Sequence, residues 1–292
     1  MSWRVVVISS RAKLEYKLGY LVIRYTDDVR KVFLPDISVL IIENTGCTLT
    51  TALLQKLWEE KICIIFCDEK RNPGAQLLPY YGSHDTSLKI ENQTEWSEKI
   101  KAEIWATIIK EKIYRQSKCL EQFDRKGSEK IYEYIMEVEE GDVTNREGHA
   151  AKVYFNALFG MDFSREQDNY INAALNYGYS VILSAINREI VANGYITQIG
   201  IFHKNRFNEF NLGCDIMEPI RPLIDNFVAK CPVEEELTSN RKMEIVNLLN
   251  SDVWISGMRT SLLNSLNIYV KSVLDSLTKR EPSLIRFIEY EF

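Results

Sequence analysis

The spacing of apolar and polar residues divides the chain in two. Up to about residue 80 the apolar residues come in short β-branched or alternating runs: WRVVVIS, KLEYKLG, YLVIRY, RKVFLP and VLIIEN. Turn formers separate them, among them Ser9-Ser10, Gly19 and Thr26-Asp27-Asp28, so this part reads as strands. One helical pattern interrupts it, TLTTALLQKLWEEK, with Leu49, Leu53, Leu54 and Leu57 on one side, before ICIIFCD returns to strand. The polar stretch GSHDTSLKIENQTEW loses the alternation and reads as a linker. Beyond it the period is helical. Ile100, Ile104, Trp105, Ile108 and Ile109 form a stripe that continues toward Ile113, and further helical patterns cover roughly 127–139, 146–158, 167–193, 215–230, 241–250 and 259–279. The expected fold class is α+β: a β-rich domain with a small inserted helix (1–82), a linker (83–96) and an all-α domain (97–292).

Composition narrows the class further. The 292 residues are 46% hydrophobic and 26% charged, values of an ordinary globular protein, and a chain of this length buries roughly three quarters of its unfolded surface. No apolar run approaches the roughly 18 residues of a membrane span. The apolar run in MSWRVVVISSRAK is too short for a signal peptide, so a cytoplasmic location without membrane association is expected. Cys63 and Cys67 lie in an apolar run, while Cys47, Cys119, Cys214 and Cys231 are scattered with no CxxC pair. That pattern supports neither a zinc ribbon nor a disulfide framework. The net charge of −5 disfavours a passive nucleic-acid coat but not an enzyme with its cations gathered at one site.

Three stretches hold residues that could carry chemistry. In TNREGHAAKVYFNALFG, Thr144 and Glu147 have the spacing of a capping box. Glu147 also heads an apolar stripe with Ala151, Tyr154 and Leu158, where a carboxylate needs a cation or hydrogen-bond donors. His203, in TQIGIFHKNRFNEFN, is either a loop residue or a ligand, with Lys204 and Arg206 beside it as phosphate contacts or as a solvated basic loop. In CDIMEPIRPLID the helical spacing puts Asp215, Glu218 and Asp225 on one face, and Arg221 offers Glu218 a salt bridge. Taken together, the carboxylates and the imidazole suit a divalent ion. Oxygen ligands with little nitrogen and no thiolate favour Mg2+ or Mn2+ over zinc.

Four ordered blocks, NREGHAA (145–151), NAALNYGYSVILSAINREI (172–190), TQIGIFH (197–203) and CDIMEPIRPLID (214–225), resemble the CRISPR-associated integrase of spacer acquisition, the first-numbered Cas family. FGMDFSR and HKNRFNEFN are similar to the type II subgroup, whereas GYIT (194–197) departs from the Gly-Leu-Asp-Pro-like turn common elsewhere in the family. The resemblance implies that Glu147, His203 and Glu218 bind Mg2+ or Mn2+, with Asp215 assisting in catalysis. It implies a DNA endonuclease and integrase that joins the 3′-hydroxyl ends of captured DNA to the CRISPR repeat. Arg146, Lys204, Arg206 and Arg221 become candidate phosphate contacts, and Asn176–Tyr179 (NYGY) a supporting segment. The implied partners are double-stranded and branched DNA (prespacer and repeat), a second copy meeting through the β-rich domain, and a small partner integrase subunit in a heterohexamer. The type II effector nuclease and an accessory adaptation protein complete the set. A catalytically inactive DNA-binding scaffold and an unrelated metal-dependent phosphoesterase are the competing readings.

Overall fold

The computed structural model describes residues 4–79, 83–230 and 236–291; Cys231 and the expected boundary at residue 82 lie outside them. The strands are β1 (Arg4–Ile8), β2 (Lys13–Lys17), β3 (Tyr20–Arg24), β4 (Val29–Phe33), β5 (Ile37–Ile42) and β6 (Thr48–Leu49). After helix α1 (Thr51–Glu59) come β7 (Cys63–Cys67) and β8 (Pro73–Leu77). β1, β5 and β7 run parallel, with β8 antiparallel at the edge; the second sheet is ordered β4-β3-β2-β6. The two residues linking β2 to β3, Leu18 and Gly19, both have positive φ (51° and 84°), the geometry that matches the twist of a two-residue hairpin.

β5, ISVLII, is buried at every position because both faces of its sheet are covered. Leu40 and Ile42 pack with Leu14, Leu21, Ile23, Leu53 and Leu57 in a core formed with the second sheet and α1. Val39 and Ile41, with Cys63, Ile65 and Cys67, belong instead to the core of the helical part. The β-rich part is therefore not a free-standing lobe.

The remainder comprises α2 (Thr86–Thr94), α3 (Glu98–Gln122), α4 (Ser128–Glu137), α5 (Arg146–Phe159), α6 (Tyr170–Ala192), α7 (Asn211–Met217), α8 (Arg221–Ala229) and α9 (Ser239–Asn247). A hairpin of β9 (Asp252–Ile255) and β10 (Met258–Ser261) precedes α10 (Leu262–Lys279). An N-terminal β-rich region followed by a predominantly helical one is thus the observed order. Two local features differ from expectation. The part expected to be all-α contains the β9–β10 hairpin, which begins with the alternately buried DVWI between the helical patterns of 241–250 and 259–279. Most of the polar stretch expected as linker is α2, which has little apolar surface of its own; its buried residue is Gln93.

α6 is the central helix. Its Arg188 donates to Ser38 O at 3.0 Å and its Ser184 carbonyl faces Cys63 Sγ. Gly178 lets α8 pack closely, since a Cβ there would sit 2.5 Å from Ile224 Cγ2. Among the described residues no helix is long and apolar enough to cross a membrane.

Candidate metal centre and catalytic site

Glu147 occupies the first turn of α5. The helix is capped by Asn145, in the left-handed region at φ 51°, whose side chain accepts from Gly148 N. Asp142 accepts from the amides of Arg146 (2.8 Å) and Glu147 (3.0 Å). The capping box expected from Thr144 and Glu147 does not form, and Thr144 Oγ1 donates to Glu137 O. Because other side chains satisfy the helix start, the Glu147 carboxylate is turned inward, where it accepts from Lys112 Nζ at 2.6 Å.

Glu218 sits on a single 3-10 turn (Glu218–Ile220) between α7 and α8. Pro219 and Pro222 lack the N–H groups a continuous helix would use, so the single helix expected through Asp215, Glu218 and Asp225 is interrupted by this turn. Each carboxylate has its own partners. Glu218 is buried and accepts from Lys112 Nζ at 2.5 Å and Arg221 Nε at 2.9 Å. Burial opposes its charge, but Arg221 and Lys112 outweigh burial and hold the carboxyl down to about 2. Asp225 accepts from Tyr179 Oη, and burial pushes it up to about 6.

Asp215, fully buried, accepts from the amides of Ile201 (2.6 Å), Phe202 (3.0 Å) and His203 (3.2 Å) and pairs with His203 Nδ1 at 2.5 Å. That bond raises the imidazole pKa against the opposing effect of burial; Glu218 and Glu147 add to the rise. Nδ1 being engaged, Nε2 is the ring nitrogen left for an ion, the arrangement in which a carboxylate orients a metal-binding histidine. Gly200 makes it possible, since a Cβ would lie 2.6 Å from His203 O and 2.7 Å from Asp215 Oδ2. The histidine loop is clamped on both sides. Gln93 of α2 donates to the carbonyls of Ile196 and Ile199, both at 2.9 Å, and accepts from Ile196 N at 3.0 Å. Asn211 donates to Gln198 O, Asn205 O and Asn208 O. Trp105 stacks on Phe202, ring centroids 4.4 Å apart, and meets His203 edge-on.

Glu147 and Glu218 therefore meet on Lys112 from two distant segments, both carboxylates act electrostatically on His203, and Asp215 stands behind His203. Lys112, Asp142, Gln93, Asn211 and Gly200 were not singled out by sequence reasoning. Lys112 left a trace: a lysine four residues after Ile108 and three after Ile109, inside a buried stripe. Among the described residues no three acids, cysteines or histidines form a group that could hold an ion; Glu147 and Glu218 instead share Lys112 Nζ. The donor set still suits a hard divalent cation: two carboxylates already converge on one positive charge, beside an imidazole oriented by a third.

The candidate phosphate contacts differ in freedom. Arg221 is tied to Glu218 and lies over the Tyr179 ring at 4.6 Å. Arg146 pairs with Glu137 at 3.0 Å. Lys204 is exposed and pairs with Glu98 at 2.9 Å, and Arg206 is exposed. In the NYGY segment, Tyr179 bonds Asp225, Tyr177 donates to Glu43 at 3.4 Å and Asn176 accepts from Arg165 at 2.6 Å.

Fold and site define a protein with a β-rich region leading into a helical one, in which two carboxylates from distant segments meet on a lysine near a carboxylate-held histidine, with an exposed basic loop following that histidine. The family model of CRISPR associated protein Cas1 matches residues 5–251, and the chain belongs to that family, one of metal-dependent nucleases and integrases of CRISPR adaptation. It is 32% identical over 303 aligned positions, spanning all of both chains, to CRISPR-associated endonuclease Cas1 of Neisseria meningitidis serogroup C (strain 8013). The fold is similar to a casposase bound to integration product (TM-score 0.77, 18% identity, 96% of this chain and 92% of that one). A chain of a Cas6-RT-Cas1–Cas2 complex is similar as well (TM-score 0.75, 15% identity, 97% of this chain and 36% of that one).

Proposed function

We propose that the protein joins the 3′-hydroxyl ends of captured DNA to the CRISPR repeat, using Glu147, His203 and Glu218 to hold one Mg2+ or Mn2+. The carrying observation is that Glu147 of α5 and Glu218 of the turn between α7 and α8 converge on one ammonium, that of Lys112, and both act electrostatically on a histidine held by Asp215. When bound, the ion polarises a phosphoryl oxygen and favours ionisation of the attacking hydroxyl. The chain's own residues do the rest. Glu147 and Glu218 supply the anionic oxygens, Asp215 keeps His203 in one tautomer, and Arg221 compensates the second oxygen of Glu218. Lys204 and Arg206 line the DNA path and position phosphates without reading sequence.

We assign residues 97–292 to catalysis and 1–82 to dimerisation, joined by 83–96. The unpaired edge strand β4 supports this assignment. Val29 and Phe33, with Tyr20 and Leu18, leave a large apolar area exposed there, a surface suited to a second copy. The partners in this reading are prespacer and repeat DNA and a small integrase subunit, in keeping with the Cas1–Cas2 assembly of the structural relative. FGMDFSR and HKNRFNEFN favour the type II subgroup, with its effector nuclease and accessory adaptation protein, in the cytoplasm.

Strand transfer of a short duplex into a repeat-bearing plasmid tests the proposal. Transfer should need Mg2+ or Mn2+ and be abolished by His203→Ala, with the fold retained by circular dichroism. Undiminished transfer by His203→Ala, or transfer in excess chelator, would overturn it.

A further inference from the structure

Among the described residues, Lys112 is the group that bonds both Glu147 and Glu218. It is buried on α3, as are Ile108, Ile109 and Ile113, and its ammonium lies 2.6 Å from Glu147 Oε1 and 2.5 Å from Glu218 Oε2. A buried ammonium is costly unless paired, and two facing carboxylates without a cation repel each other. Each therefore compensates the other, and the arrangement closes as a neutral or near-neutral cluster with Arg221 on the second oxygen of Glu218. The lone pairs directed at Nζ are the ones a divalent ion would require. An ammonium and a divalent cation within the same few ångströms repel strongly in a partly desolvated pocket, so the two cannot share these oxygens.

Resting on the reading that Glu147, His203 and Glu218 hold the ion, we propose that Lys112 is the resident counter-ion of the metal-free site. The divalent ion binds by displacing its ammonium. Lys112 then acts as a positioning residue: it holds α5 and the Glu218 turn against α3 in the absence of metal and lowers the affinity of the site for metal. The pocket opens to solvent where the side chains of Glu147 and His203 are 24% and 40% exposed, which gives the displaced ammonium a direction in which to leave.

Mn2+ titration of the full-length protein by calorimetry, with wild type, Lys112→Met and His203→Ala, tests this. Removing a competing cation should tighten Mn2+ binding by about tenfold or more in Lys112→Met. The same variant should melt lower than wild type in chelator and gain more from saturating Mn2+. Unchanged or weaker Mn2+ affinity in a folded Lys112→Met overturns the proposal. Should that variant not fold, wild type decides. Amine acetylation read by mass spectrometry should spare Lys112 in chelator and reach it at saturating Mn2+; equal protection in both conditions overturns displacement. His203→Ala separates the two levels. If wild type and His203→Ala bind Mn2+ alike, the assignment of the metal site fails, and the role of Lys112 fails with it. If His203→Ala alone loses binding while Lys112→Met matches wild type, the site stands and only the Lys112 proposal falls.

Discussion

His203 Nδ1 lies 2.5 Å from Asp215 Oδ1, and the same buried carboxylate gathers the amides of Ile201, Phe202 and His203. Asp215 is thus the anchor of the histidine loop. Asp215→Asn keeps the shape but presents an amide N–H or a neutral oxygen to the ring, so the tautomer and orientation of His203 are no longer fixed. We expect Mn2+ affinity and strand transfer to fall roughly 10- to 100-fold, the usual effect of losing a group that orients a ligand. Gly200→Ala should do the same from the backbone side, because its Cβ would press on His203 O and Asp215 Oδ2. Calorimetric titration beside the transfer assay checks both.

Helix α5 is started by Asp142 and Asn145, and Glu147 is free of that task. Asp142→Ala should therefore lower stability by about 1 kcal/mol or more, read from denaturant melts. Glu147→Gln should cost less than that and still abolish transfer, since Lys112 retains Glu218 as its partner. Thr144→Ala should be nearly neutral in both measurements. A large stability loss in Glu147→Gln with transfer intact would restore the capping role for Glu147.

Asp225 gives a pH dependence of defined sign. Its folded-state pKa is raised by burial to about 6 from an ordinary 3.8, so the native protein holds a proton that the unfolded chain releases. The stabilisation is complete below about pH 4 and is lost as pH rises through about 6, a change of roughly 3 kcal/mol. Asp225→Asn carries no such proton. The melting temperature of the variant minus that of wild type should rise between about pH 4 and 7 and then level off. A flat difference would show that Asp225 stays ionised in the fold.

In the proposed function, the loop after His203 divides DNA binding from chemistry across one residue. Lys204 and Arg206 are exposed, and replacing both with Gln should weaken binding to duplex and branched DNA. The slope of log affinity against log salt should become about 2 units shallower, near 0.9 per lost phosphate contact. His203→Ala should bind DNA with the wild-type slope. Affinity measured across a salt series decides; an unchanged slope in the double variant would move the DNA path to other helices.

Periodicity made much of this protein legible. Strands β1 to β5 and β7, the inserted helix and the stripe from Ile100 to Ile113 could be read because the alternation of a strand and the turn of a helix record which side of a local segment is buried. Glu147, His203 and Glu218 stood out as candidates in motif-bearing blocks, and the order of those blocks pointed to the family to which the chain belongs.

Contacts between distant segments left weaker marks. Lys112 meets carboxylates 35 and 106 residues away, and a lysine in a buried stripe does not name its partners. Gln93 looked like part of a polar linker because the carbonyls that justify its burial lie more than 100 residues further on. Thr144 and Glu147 matched a capping pattern by spacing alone, but the positive φ of Asp142 and Asn145 brought other side chains to the helix start. Pro219 and Pro222 announced a break, yet only packing against α3 and the His203 loop decided that Glu218 faces Lys112 while Asp215 turns to His203. Local pattern determines which residues a segment buries; which charge each buried group meets depends on chain segments that come together only in the folded state.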